Sequence, residues 1–79
     1  RMNKKDLRLL MFATFRYSLG RRTYMPNFIV DLIIKNHKIF NKEDWKQFIK
    51  EINEVKDLGD KCDIETWNKL MEFSKKQNG

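Results

Sequence analysis

Arg16-Tyr17-Ser18-Leu19-Gly20-Arg21-Arg22-Thr23-Tyr24-Met25-Pro26 holds the first stop signal and the first restart signal of regular structure in this chain. Gly20 has no Cβ, so it can adopt the left-handed conformation that closes a helix. Pro26 suits the opening turn of the next helix, because its φ is already near helical and its missing N–H has no partner there anyway. The stretch therefore reads as helix, short turn, helix. Upstream, Asn3 is a good cap residue for a helix running from Lys4 to about Leu19. Downstream, a second helix covers about Pro26 to Lys35. Asn41 followed by Asp44 and Trp45 starts a third, which the spacing carries to about Leu58 with Gly59 as its terminator. Asp63 is read as the cap of the last helix, Ile64 to about Lys76, before a frayed tail. No segment alternates with the two-residue period of a strand for long enough to matter. The expected fold is all-α: one domain, a compact bundle of four short helices over about 4–19, 26–35, 42–58 and 64–76.

The chain has 79 residues, 41% hydrophobic and 35% charged, a balance that supports a packed core with a well-solvated exterior. No apolar run approaches the roughly 18 residues of a membrane span, and the first residues carry charges where a secretory leader has an apolar block. The reading is no membrane and a cytoplasmic location. Cys62 is the single cysteine, which excludes an internal disulfide and a several-thiolate metal site, and it is expected to be a partly buried small side chain.

The helices differ in how much of their circumference is apolar. Trp45, Phe48, Ile49, Ile52 and Val55 form one stripe, and Ile64, Trp67, Leu70, Met71 and Phe73 another, each with a polar back. Phe28, Ile29, Val30, Leu32, Ile33 and Ile34 surround the second helix almost completely. That helix is expected to be the buried centre, or half core and half interface. At about 1.5 to 3 kcal/mol per buried large side chain, the fold or a partner has to cover them. In the first helix Leu7, Leu10, Met11, Thr14, Phe15, Tyr17 and Ser18 share one broad face, taken as core.

On another side of that helix Lys5, Arg8 and Arg16 fall together, with Phe12 between them, and Arg21 and Arg22 extend the positive region. All five arginines lie in the first 22 residues, and every later cation is a lysine. Two readings stay open. In one, the cations are a solvated back with Phe12 packed under their alkyl stems. In the other, Arg8, Arg16, Arg21 and Arg22 make an anion-seeking surface with Phe12 and Tyr24 available for stacking, a partner-binding corner.

The net charge of +6 suits an acidic partner without choosing between nucleic acid and protein. The second helix is too apolar to lie in a groove of DNA, and Glu43, Glu51 and Glu54 on the third would repel phosphates. Nonspecific backbone contact through the arginines, extended by Lys35-Asn36-His37-Lys38, remains compatible. Catalysis has little support, since His37 is the only histidine and reads as an exposed turn residue, and the three glycines stand apart. No cofactor or metal is expected. Carboxylates such as Glu43, Asp44, Glu51 and Glu54 read as salt-bridge partners along helix surfaces.

The run Phe15-Arg16-Tyr17-Ser18-Leu19-Gly20-Arg21-Arg22-Thr23-Tyr24-Met25, followed by Leu58-Gly59-Asp60-Lys61-Cys62-Asp63 and Trp67, resembles a pattern of small uncharacterised proteins of bacteriophages and prophages of low-GC Gram-positive bacteria. The similarity spans Leu9 to Phe73. It implies a protein that binds and redirects or inhibits a host macromolecule, including defence nucleases such as CRISPR effectors. The expected function is thus a non-enzymatic binding protein, an inhibitor or modulator of a host or defence protein, acting through Arg8, Phe12, Arg16, Arg21, Arg22 and Tyr24. The alternative is a nucleic-acid-binding accessory protein using the same arginines. A homodimer fits both, given the apolar surface of the second helix.

Overall fold

Asn3 Oδ1 accepts the Asp6 N–H at 2.8 Å and opens helix α1, Lys4–Ser18. Leu19 closes it by donating its N–H to the Phe15 carbonyl, and Gly20 follows at φ +76°, the left-handed turn that its lack of a Cβ allows. The computed structural model describes residues 2–20 and 26–79. Helix α2, Pro26–Lys35, starts on its proline, and a 3₁₀ turn, His37–Ile39, leads to α3, Lys42–Glu54. Helix α4, Lys61–Asn78, completes an all-α architecture with no strand among the described residues.

Two boundaries differ from the sequence reading. Helix α3 ends at Glu54 because Val55 turns to extended backbone. A Cβ placed on Gly20 would lie 3.2 Å from Val55 Cγ1, so the Val55 side chain sits against that glycine. The helix therefore stops before its apolar stripe does, with Val55 donating its N–H to the Ile52 carbonyl as the cap. Helix α4 begins a turn early, because Asp60 and Asp63 form a reciprocal capping box. The Asp63 N–H donates to Asp60 Oδ1 and the Asp60 N–H to Asp63 Oδ2, both at 3.1 Å. Gly59, at φ +107°, is the turn into that cap and not the terminator of α3.

Pairs across helices fix their directions. Arg8 meets Asp44, Phe12 meets Phe48 and Arg16 meets Glu51, so α1 and α3 run parallel. The Thr66 hydroxyl donates to Asn27 Oδ1 at 2.5 Å, Lys69 reaches Asp31, and Phe73 lies on His37, so α2 and α4 also run parallel. Phe15 against Trp67 and Trp45 against Phe73 set the second pair antiparallel to the first. The result is an up-down-up-down bundle in which α1 touches α2, α2 touches α4, and α4 touches α3.

Aromatic rings fill the centre together with one side of α2, which is half core and not buried all round. Phe12 and Phe48 stack at 4.5 Å and 9°, Phe15 meets Phe48 and Trp67 edge to face, and Phe40 packs edge to face on Phe12, Phe48 and Trp45. From α2 only Ile29, Val30 and Ile33 join this core among its aliphatic side chains, with Leu32 and Ile34 at its edge and Phe28 exposed. Helix α1 is rotated from the face the sequence suggested. Met11, Phe12, Phe15 and Ser18 are buried, whereas Leu10 and Tyr17 point outward. The shift follows from Phe12, whose ring finds Phe48 once α1 and α3 are side by side. His37, expected in solvent, is half-buried against Phe73 with Nδ1 3.0 Å from the Ile34 carbonyl. Cys62, expected to be partly covered, is exposed in the first turn of α4.

Candidate functional site

Arg8, Phe12 and Arg16 are two helical turns of one α1 strip, and Asp44, Phe48 and Glu51 form the matching strip on α3. Arg8 donates from Nε to Asp44 Oδ2 at 2.7 Å and from Nη2 to Asp44 Oδ1 at 2.6 Å. Arg16 grips Glu51 in the same way, with both bonds at 2.8 Å, and Gln47 donates a third bond to Glu51 Oε2 at 2.8 Å. Both guanidiniums also lie over the Phe12 ring, 5.5 Å and 5.0 Å from its centroid. Each planar fork holds a carboxylate bidentately, and the rings stack between them.

The electrostatics follow from this geometry. Hydrogen bonding to Asp44 and Glu51 raises both arginines above their ordinary value. Burial pushes the Asp44 carboxyl up, but the Arg8 fork, the Asn41 N–H and the Arg8 charge outweigh it, and the pKa is lowered. The Arg16 fork lowers Glu51, against desolvation and with help from Gln47.

The fold therefore brings three of the sequence-derived site residues together but as a brace between α1 and α3. Phe12 is only 5% exposed, so it is core and not an open stacking platform. Arg8 and Arg16 have their forks filled from inside the chain, which corrects the expectation that they stand open to an outside anion. Arg21, Arg22 and Tyr24 lie outside the described residues. The sequence reading takes Asp44 and Glu51 as salt-bridge partners along their own helix, and misses that they pair across helices with Arg8 and Arg16. Their signal was the spacing itself: charge, aromatic, charge at 8, 12 and 16 facing charge, aromatic, charge at 44, 48 and 51.

The other side of α1 carries a different surface. Leu9 and Leu10 are about half exposed, at 51% and 50%, and Tyr17 and Phe28 more so, at 59% and 56%. Leu10 and Phe28 lie on the α1–α2 side, whereas Leu9 and the exposed Ala13 line the side toward α3. A groove of about 490 Å³ runs between α1 and α2, lined by Leu7, Leu10, Met11, Phe28, Ile29 and Leu32, with Thr14 and Asn36 as its polar lining. On the opposite flank, a furrow of about 380 Å³ between α1 and α3 is lined by Leu9, Phe12 and Ala13 together with the Arg8–Asp44 pair, Arg16 and Gln47.

Charge is divided along the bundle axis. The end that holds the start of α1, the close of α2, the 3₁₀ turn, the start of α3 and the close of α4 gathers Lys4, Lys5, Lys35, Lys38, Lys42, Lys46, Lys75 and Lys76. Its carboxylates besides the Arg8-bound Asp44 are Asp6, Glu43 and Glu72, of which Glu43 and Glu72 pair with Lys46 and Lys75. Among the described residues the opposite end holds Glu54, Asp57, Asp60, Asp63 and Glu65 with Lys56 and Lys61. Among the described residues no group of three His, Cys, Asp or Glu is placed to hold a metal ion, and no helix is long and apolar enough to cross a membrane.

Compared with known proteins, the chain matches no family model, no curated sequence and no solved structure.

Proposed function

We propose that this chain is a non-enzymatic protein-binding module, and that its α1–α2 side takes an amphipathic helix of a partner protein. The observation that carries the reading is the pair Leu10 and Phe28, each about half exposed and both lining a preformed groove between α1 and α2. Large apolar side chains exposed along a groove mark a surface that a partner covers. Finishing the burial of Leu10 and Phe28 is worth about 1 kcal/mol each, enough to make them binding anchors. Two antiparallel helices with an apolar groove between them fit a third helix laid into it. The resemblance to small phage proteins supplies the context: a cytoplasmic inhibitor or modulator of a host or defence protein, anti-CRISPR-like, is the activity proposed for that surface.

The test is affinity capture from a bacterial host after nuclease treatment, with Leu10→Glu and Phe28→Glu compared with Lys50→Glu. The captured protein should be lost with the first two variants and kept with the third, while circular dichroism stays helical. Capture that ignores Leu10 and Phe28 sinks the reading. Sedimentation showing a dimer that Phe28→Glu dissociates would assign the groove to a second copy of the chain instead.

A further inference from the structure

We propose a second binding surface that the sequence does not display as one: the lysine-rich end of the bundle, which takes the phosphodiester backbone of a nucleic acid. Lys4 and Lys5, then Lys35, Lys38 and Lys42, and finally Lys76 come from three separate stretches of the sequence. The alternating helix directions bring them to one end, because α1 and α3 start where α2 and α4 finish. All six are exposed, and among the described residues none is held in an ion pair.

The surroundings favour phosphate. Asp6 is the one acidic side chain at that end outside an ion pair among the described residues. The remaining polar groups between the lysines are amides, such as Asn41 on α3 and Gln77 and Asn78 at the close of α4. Met2 is the sole large apolar side chain exposed there among the described residues, too little to anchor in a bilayer. Two helices side by side span about 20 Å, close to the width of a duplex, so lysines on neighbouring helices can reach successive phosphates. Lysine offers a point charge without the fork that reads a base edge, and the binding is accordingly independent of sequence.

Fluorescence anisotropy with a labelled 20-base-pair duplex, titrated from 50 to 200 mM NaCl, tests this. Wild type should bind with a micromolar Kd at the low end. Four to six lysine contacts give a log-log salt slope of about −3.6 to −5.4, hence a loss of roughly 150- to 2,000-fold over that range. The pair Lys35→Glu/Lys38→Glu should weaken binding at least tenfold and flatten the slope by about 2, and Lys4→Glu/Lys5→Glu should do the same. Lys56→Glu/Lys61→Glu at the far end should change little. All these side chains are exposed, and circular dichroism checks that each variant is folded. The proposal is overturned by wild type failing to bind at 50 mM, by far-end variants losing as much as the lysine-end ones, or by Arg21→Glu/Arg22→Glu abolishing binding that Lys35→Glu/Lys38→Glu spares. Binding to anionic phosphatidylserine vesicles but not to the duplex overturns it as well.

Discussion

Removing the Arg8 side chain should reveal how much of this bundle depends on one buried carboxylate. The Asp44 side chain is only 5% exposed and that of Arg8 33%, whereas in the second pair Arg16 is 53% exposed and Glu51 16%. With Arg8→Met, Asp44 keeps the Asn41 N–H at 3.0 Å as its partner but loses both guanidinium bonds while staying covered. Truncating one member of a fully buried pair costs about 3 to 5 kcal/mol, and an exposed pair is worth at most about 1. Water reaches Arg8, so the loss should fall between these, at about 2 kcal/mol, part of it the cation–π contact with Phe12. A double-mutant cycle of Arg8→Met and Asp44→Asn should then give a coupling of about 1.5 kcal/mol. The parallel cycle of Arg16→Met and Glu51→Gln, discounted for its exposed guanidinium, should give about 0.5. Urea unfolding followed by the fluorescence of Trp45 and Trp67, both buried, measures each corner of the cycle. In thermal melts Arg8→Met should lower the Tm by about 8 to 16 °C, as expected for a domain of this size. A coupling for Arg8 and Asp44 no larger than that for Arg16 and Glu51 would refute the argument that burial sets the strength of the brace.

Acid should weaken the same brace. Asp44 and Glu51 both have lowered pKa values in the folded chain, so the unfolded chain takes up their protons first. Their stabilisation is complete above the ordinary carboxylate range of about 4 and drains away as pH falls through and below it, and Asp44→Asn should flatten that dependence in urea midpoints measured from pH 6 to 3. Gly59→Ala should cost about 1 to 3 kcal/mol, because φ +107° suits glycine and an added Cβ would run into the Asp63 side chain that caps α4; a Tm unchanged from wild type counts against this. Ser18→Ala should stabilise by about 1 kcal/mol, since Ser18 is fully buried and its Oγ has no hydrogen-bond partner among the described residues; a lower urea midpoint would show that the hydroxyl is satisfied after all.

The sequence by itself determined the number and type of elements. Asn3, Gly20, Pro26 and Asn41 with Asp44 are local signals, because a cap or a left-handed turn depends on bonds within a few residues, and the structure uses all four as caps or turns. The Asp60 and Asp63 box was equally legible, being the same spacing as Asn41 and Asp44, and it was overlooked in favour of a single cap at Asp63. What the linear pattern could not settle was rotation and pairing. Helical periodicity gives α1 an apolar face to within a sector, but whether Leu10 or Phe12 fills the core depends on which neighbour arrives with a complementary ring. Phe48 did, and the arginines beside Phe12 were thereby drawn to Asp44 and Glu51. Beyond the end of α3, Val55 likewise sits against Gly20, a contact between segments far apart in the chain. The lysine end is legible in the sequence only in part: Lys35, Lys38 and Lys42 lie close together along the chain. Lys4, Lys5 and Lys76 join them only once alternating helix directions bring the termini of four helices to one end, and no window sliding along the chain sees these three groups side by side.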